Sequence, residues 1–135
     1  MTLNYCIKSF DELTNNELYD LLRLRSEIFV VEQNCPYLDL DNKDQKGFHL
    51  LYFVDNELAG VTRLLPSGVS YNEISIGRVA IAQSHRGLGL GRKLMEASIM
   101  GCEEKFGKGP IRISAQYHLS KFYQSLGFVE QGEVY

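Results

Sequence analysis

The sequence predicts an α/β (α+β) fold: a mixed, mostly antiparallel central sheet of six or so strands with helices on both faces. Three observations predict it. Apolar runs of strand length, separated by turn residues, fill positions 48–82 and read as an antiparallel meander. Two longer stretches, 15–27 and 88–106, instead repeat apolar residues every three or four positions, the period of a helix with one buried face. The meander then feeds a strand, helix, strand, helix order, which implies a mixed sheet covered on both sides.

Taken in order, residues 3–7 alternate weakly and form a first strand, ended by a turn at 9–11. Thr14 followed by Glu17 is a capping box, and Leu18, Leu21, Leu22 and Ile28 recur at helical spacing, so a first helix is expected over 15–27. Residues 29–36 suggest a short second helix broken by Pro36. The acidic loop that follows, with Asp39, Asp41 and Asp44, lacks the Gly and closing Glu of an EF-hand and reads as a solvated surface. Strands at 48–54 and 58–65 meet in a tight turn at Asp55-Asn56-Glu57, and after Pro66-Ser67-Gly68 comes another at 74–82. A glycine-rich turn follows Ser84-His85-Arg86. Leu88, Leu94, Met95, Ile99, Cys102 and Phe106 then mark a long amphipathic helix that stops at 107–110. A strand at 111–115, a helix at 118–126 closed by Gly127, and a last strand at 128–135 complete the chain.

With 135 residues, 44% hydrophobic and 23% charged, the chain suits one globular domain and neither a disordered nor a coiled-coil protein. No apolar run approaches the ~20 residues of a membrane span and no basic, then apolar leader opens the sequence, so the cytoplasm is the expected compartment. Cys6, Cys35 and Cys102 form no C-x-x-C pair, which argues against zinc or a redox dithiol. A net charge of −3 disfavours a nucleic-acid partner and favours a cationic or neutral substrate.

The richest stretch runs from Gly77 to Leu94. An apolar strand enters three alternating glycines, Gly87, Gly89 and Gly91, and then a helix, an arrangement that aims unpaired backbone N–H groups and a positive helix end at an anion. The spacing excludes a P-loop, which needs Lys directly after a Gly that follows another Gly by five residues, whereas Arg92 stands five after Gly87. It also excludes the dinucleotide fingerprint, since Arg92 or Leu94 occupies the required third glycine position. What remains is Arg86-x-x-Gly89-x-Gly91, with Arg86, Arg92 and Lys93 as local cations and the N–H groups of residues 87–92 suited to a pyrophosphate.

On these residues the chain resembles the GCN5-related N-acetyltransferase (GNAT) family, whose pyrophosphate loop follows Arg/Gln-x-x-Gly-x-Gly/Ala between an apolar strand and a long helix. A second block, Phe122-Tyr123-Gln124-Ser125-Leu126-Gly127-Phe128, is similar to the family's aromatic-Tyr segment ahead of Gly-Phe, with Gln116 where the family has Asn. Arg25, residues 29–36 and Gly77-Arg78-Val79 resemble the small bacterial ElaA-like branch. The resemblance implies a single N-acetyltransferase domain over 1–135, short of a last C-terminal strand, using acetyl-coenzyme A as co-substrate and no metal. It implies cofactor contacts at Arg86, Gly87, Leu88, Gly89, Leu90, Gly91, Arg92, Lys93, Gln116 and Phe122, with the pantetheine arm pairing like a strand with the backbone of Val79, Ala80 and Ile81.

Tyr123 is the candidate general acid, because a phenol protonated at neutral pH can supply the proton a departing thiolate needs. A packed core role also fits it, since Leu119, Phe122, Tyr123 and Leu126 share one apolar face. For the base that takes the amine proton, Glu32 is favoured over Glu73 and His49. Arg25, Arg63 and Arg78 either orient an acidic substrate or bind internal carboxylates, the latter preferred for Arg78. The expected activity is acetyl transfer to a primary amine by direct attack, and a non-catalytic acyl-coenzyme A binding or sensing module is the alternative. The expected partner is a small-molecule or peptide amine, with neither nucleic acid nor membrane, and a homodimer is an open alternative to the monomer.

Overall fold

The computed structural model describes residues 1–113 and 120–128. Strands β1 (Leu3–Ser9), β2 (Phe48–Val54), β3 (Glu57–Leu65), β4 (Ile74–Ile81) and β5 (Ile111–Ile113) form one sheet in chain order. The first three pairings are antiparallel and β4 to β5 is parallel, which is the mixed, mostly antiparallel sheet that the sequence predicts. The described residues hold five strands, and the further strand expected at 128–135 falls, past Phe128, outside them. In the β2–β3 hairpin, Asp55 and Asn56 take φ of +49° and +67°. Two successive left-handed residues twist the turn as the flanking strands twist, and Asp and Asn tolerate that conformation better than most side chains.

Helix α1 (Asn15–Arg25) starts at the expected capping box: Glu17 N–H donates to Thr14 Oγ1 at 3.1 Å, and Thr14 N–H donates to Glu17 Oε1 at 2.9 Å. Instead of stopping before a separate second helix, α1 runs directly into a π-helical segment, Ser26–Glu32. No Gly or Pro stands between 15 and 35 to end the helical run, so it continues until Asn34 turns left-handed at φ +50°. Helix α2 (Leu90–Phe106) and a short α3 (Ser120–Ser125) complete the described elements.

The sheet is buried on both faces. Leu50, Tyr52 and Val54 of β2 pack with Ala59 against Leu90, Leu94 and Ala97 of α2. Leu51 points the other way and joins Val61 and Ala80 under Leu21, Leu24 and Ile28. Burial on both faces explains why residues 50–54 of β2 read as a continuous apolar run rather than an alternating one. Helix α2 lies close to the sheet at Gly101, where a Cβ would come within 2.6 Å of Ile7 Cδ1.

Two departures from regular structure shape the site. Between Val61 and Arg63 the β3–β4 register slips, with Val61 opposite Ala80 and Arg63 opposite Gly77, so β4 carries one extra residue. Arg78 sits in this bulge at φ +50°, a conformation costing a non-glycine residue on the order of 1 kcal/mol. The acidic loop is not the solvated segment expected: Asp39 and Asp44 are buried, because three arginines from three separate elements meet them in the interior.

Candidate active site

The glycine-rich turn forms a cradle. Gly87 and Gly89 have φ of +84° and +71°, which confines both positions to residues that tolerate a left-handed backbone. A Cβ on either would meet no atom within 4 Å, so the side of the loop they leave bare opens to space rather than to packing. Gly89 is the N-cap of α2 and provides no side-chain hydrogen bond, leaving the first-turn N–H groups without a side-chain cap. In front of them lies a cavity of about 450 Å³ bordered by Ile81, Arg86, Gly87, Gly89, Leu90 and Arg92. Bare backbone donors, a helix N-terminus and guanidinium groups around one cavity fit a pyrophosphate. Gly89→Val is expected to weaken coenzyme A binding by more than about tenfold while the domain still folds, because the valine Cβ projects into the phosphate space. Calorimetric titration checks this, and unchanged affinity would remove the loop from the binding site.

A second cavity, also about 450 Å³, opens on the opposite stretch of β4 and is bordered by Ile76, Gly77, Arg78, Val79, Ile113 and Tyr123 among others. Val79 borders this cavity and Ile81 the cradle, so two residues of one strand, about 7 Å apart, join the two. Ala80, between them, faces the core on the α1 side. Any binding role for Ala80 therefore belongs to its backbone. Tyr123 both packs in the core and borders this cavity. Its ring packs with the cluster around Ile76 and Met95 and edge-on to Phe128 at 6.3 Å, while another part of it borders the cavity. Burial raises its pKa, which keeps the phenol protonated and able to donate.

The wall facing Tyr123 is built on an interior ion network. Arg25, wholly buried, donates from Nε to Asp39 Oδ2 at 2.9 Å and from Nη1 to Asp44 Oδ1 at 2.8 Å. Arg63 spans Asp41 through two bonds of 2.8 and 2.9 Å and reaches Asp44 at 3.0 Å. From the bulge, Arg78 holds Asp39 at 2.7 Å and Asp41 at 3.3 Å. Burial pushes the Asp41 carboxyl up, but Arg63 and then Arg78 outweigh it and bring it down to about 2, so Asp41 stays an anion at every physiological pH. All three arginines thus bind internal carboxylates, the role preferred for Arg78, while Arg63 and Arg78 also border the second cavity.

Glu32 lies elsewhere. Both its oxygens are engaged by Arg86, one of them at 2.7 Å from Nη2, and it borders neither cavity. The hydrogen bonds and charge of Arg86 lower its pKa, which suits a permanent anion rather than a base. Arg86 also donates to the Ile81 carbonyl at 3.2 Å, so the loop arginine is held between the π-helical segment and β4. Glu32→Gln is expected to tighten coenzyme A binding roughly two- to fivefold, because Arg86 then answers only to phosphate. A fall in kcat of about a hundredfold or more is what a base would give instead, and steady-state kinetics distinguishes the two.

The other base candidates are also set apart. His49 is buried, with Nε2 2.8 Å from the Asp44 carbonyl and its pKa lowered by burial. Glu73 lies 3.8 Å from Arg112. Arg92 borders the cradle and donates to Ser125 Oγ at 2.7 Å, tying the helix that bears Tyr123 to the first turn of α2. Leu90 is a core residue as well as a cradle residue, whereas Leu88 and Lys93 are exposed and border neither cavity. Gln116 and the Phe122 side chain lie outside the described residues. The sequence did not single out Lys43, Tyr37 and Tyr71, which also border the second cavity. A charged residue inside the apolar run of β3, Arg63, was the one signal that carboxylates had to come inward there. Among the described residues, no group of three or more His, Cys, Asp or Glu could hold a metal, and no helix is long and apolar enough to cross a membrane.

Comparison with known proteins agrees with this geometry. Residues 26–135 match the acetyltransferase (GNAT) domain. The Escherichia coli protein ElaA is 41% identical over 126 residues, covering 92% of this chain and 82% of ElaA. Its crystal structure superposes with a TM-score of 0.93 at 38% identity, over 99% of this chain and 92% of that one. An acyl-CoA N-acyltransferase from Pseudomonas aeruginosa gives 0.93 at 40% identity, over 99% and 93%. At 14% identity and a TM-score of 0.71, over 98% and 93%, the structure of a predicted acetyltransferase of Clostridium acetobutylicum with acetyl-CoA shares the fold alone.

Proposed function

This chain belongs to the GNAT acetyltransferase family, and from that premise we propose that it moves an acetyl group from acetyl-coenzyme A to a primary amine by direct attack. The observation that carries the proposal is the run of β4 from the phosphate-sized cradle at Ile81 to the Tyr123 cavity at Val79. A ligand with phosphates at one end and a reactive thioester at the other fits that path, its amides paired with the backbone of residues 79–81. Acetyl-coenzyme A supplies the activated thioester. The N–H groups of the loop and the first turn of α2 hold its phosphates, with Arg86 and Arg92 alongside.

In the second cavity an acceptor amine is held against the thioester carbon, and the C–N bond forms as the C–S bond breaks. Tyr123 gives its phenolic proton to the departing sulfur, the extra proton on nitrogen passes to solvent, and solvent returns a proton to the phenolate. Among the described residues that border the cavity no carboxylate is free to act as a base, because Asp41 is committed to two arginines. The acceptor therefore enters as the free amine, and kcat/KM rises with pH toward the amine's own pKa. Cys6, Cys35 and Cys102 are all free thiols, consistent with a reducing compartment such as the cytoplasm. Incubation with acetyl-coenzyme A and a panel of primary amines, followed by free thiol, tests the activity. Coenzyme A binding without amine-dependent thiol release would instead mark an acyl-coenzyme A binding module.

A further inference from the structure

Resting on the acyl-transfer reading above, we propose that the acceptor amine carries an anionic group, a carboxylate first of all, which is seated on the Lys43, Arg63 and Arg78 wall of the second cavity. The acceptor class is then an amino acid or another amine bearing an acid, rather than a polyamine or an aminosugar. The whole-chain charge of −3, which favours a cationic or neutral substrate, is reversed locally. Around this cavity four cations, Arg25, Lys43, Arg63 and Arg78, face three carboxylates, Asp39, Asp41 and Asp44.

The surplus has a location. Among the described residues, every carboxylate of the cluster is bound by at least two arginines, and Lys43 borders the cavity with no ion pair of its own. His49, behind the wall, has its pKa lowered by burial and so adds no charge of its own. Arg112, stacked over Tyr71 at 4.4 Å, has Glu73 3.8 Å away, so that pair cancels. A second observation points to a ligand. Arg63 borders the cavity at 4% exposure, and its Nε is a buried donor with no hydrogen-bond partner among the described residues. A buried, charged donor left unpaired is costly, and it leaves part of the Arg63 charge unanswered in the wall behind the cavity. An ammonium at the same place would meet three cations and, among the described residues that border the cavity, only a carboxylate already bound by two arginines.

The test uses two product-like probes of similar size, N-acetylglycine as the anion and N-acetylputrescine as the cation, titrated by NMR into the protein saturated with coenzyme A. N-acetylglycine is expected to bind roughly tenfold more tightly or better. Lys43→Glu should shift the ratio of the two affinities toward N-acetylputrescine by roughly tenfold, and Lys43→Gln by about half as much on a logarithmic scale. Lys43 makes no side-chain contact in the ion network, so both variants should keep the wild-type thermal midpoint. Equal or tighter binding of N-acetylputrescine, a ratio unmoved by Lys43→Glu, or binding of neither probe overturns the proposal. Thiol release with glycine against putrescine is read separately. Anion-selective binding with no release to any amine would unseat the transfer activity and leave the anion site standing, whereas release favouring putrescine would do the reverse.

Discussion

Tyr123→Phe is expected to lower kcat by about 10²- to 10⁴-fold, the range of a lost general acid, with acetyl-coenzyme A affinity nearly unchanged. The phenyl ring keeps its packing beside Ile76, Met95 and Phe128, so the fold survives the change. What is lost is a hydroxyl that, in the proposed mechanism, acts only as sulfur departs. Steady-state kinetics against thioesters of graded leaving-group acidity provides the sharper check. The deficit should shrink as the thiol becomes more acidic, because such a thiol leaves without help. If the hydroxyl served packing alone, the variant would keep its turnover and lose only stability, on the order of 1 kcal/mol for a missing hydrogen bond. Full activity in a folded Phe variant would therefore place Tyr123 in the core and hand the proton to water.

Arg25→Met should be the most damaging single change to stability. Arg25 has no exposed surface and holds Asp39 and Asp44 together, and both of those carboxylates are themselves buried. Methionine matches much of its volume and none of its charge, so two buried anions are left with one arginine each, Arg78 and Arg63. Removing one partner of a buried ion pair typically costs about 3–5 kcal/mol, and the remaining arginines hold the loss to the lower end. For a chain of this size that is a fall in thermal midpoint of about 10 °C. Arg25→Lys should be intermediate, since an ammonium keeps the charge but lacks the fork that reaches two carboxylates at once. Calorimetry of the three proteins at neutral pH decides it. A midpoint for Arg25→Met within about 2 °C of wild type would show that the network adds nothing net.

The elements were legible because each carries a local signature. The capping box at Thr14 and Glu17, the tight turn at Asp55-Asn56 and the glycine-rich entry to α2 act over a few residues, and the structure has them where the sequence placed them, except that α2 starts at Leu90 and takes Gly91 into its first turn. The glycine loop could likewise be read as an anion cradle, since backbone donors and a helix end need no distant partner. The π-helical continuation was not legible. Whether a helix slips by one residue is decided by what its side chains meet, not by the period of its sequence.

The fate of the charges was decided by the tertiary structure alone. Asp39, Asp41 and Asp44 look like any polar loop in the sequence, and only the meeting of α1, β3 and β4 brings Arg25, Arg63 and Arg78 to them. Glu32 likewise looked free to act as a base until the fold set it against Arg86, 54 residues along the chain. Hydrophobic period and turn chemistry are properties of neighbours in sequence and can be read from it directly. An ion pair in the interior is a property of neighbours in space, and it sets which carboxylates remain available and which sign of charge the second cavity presents.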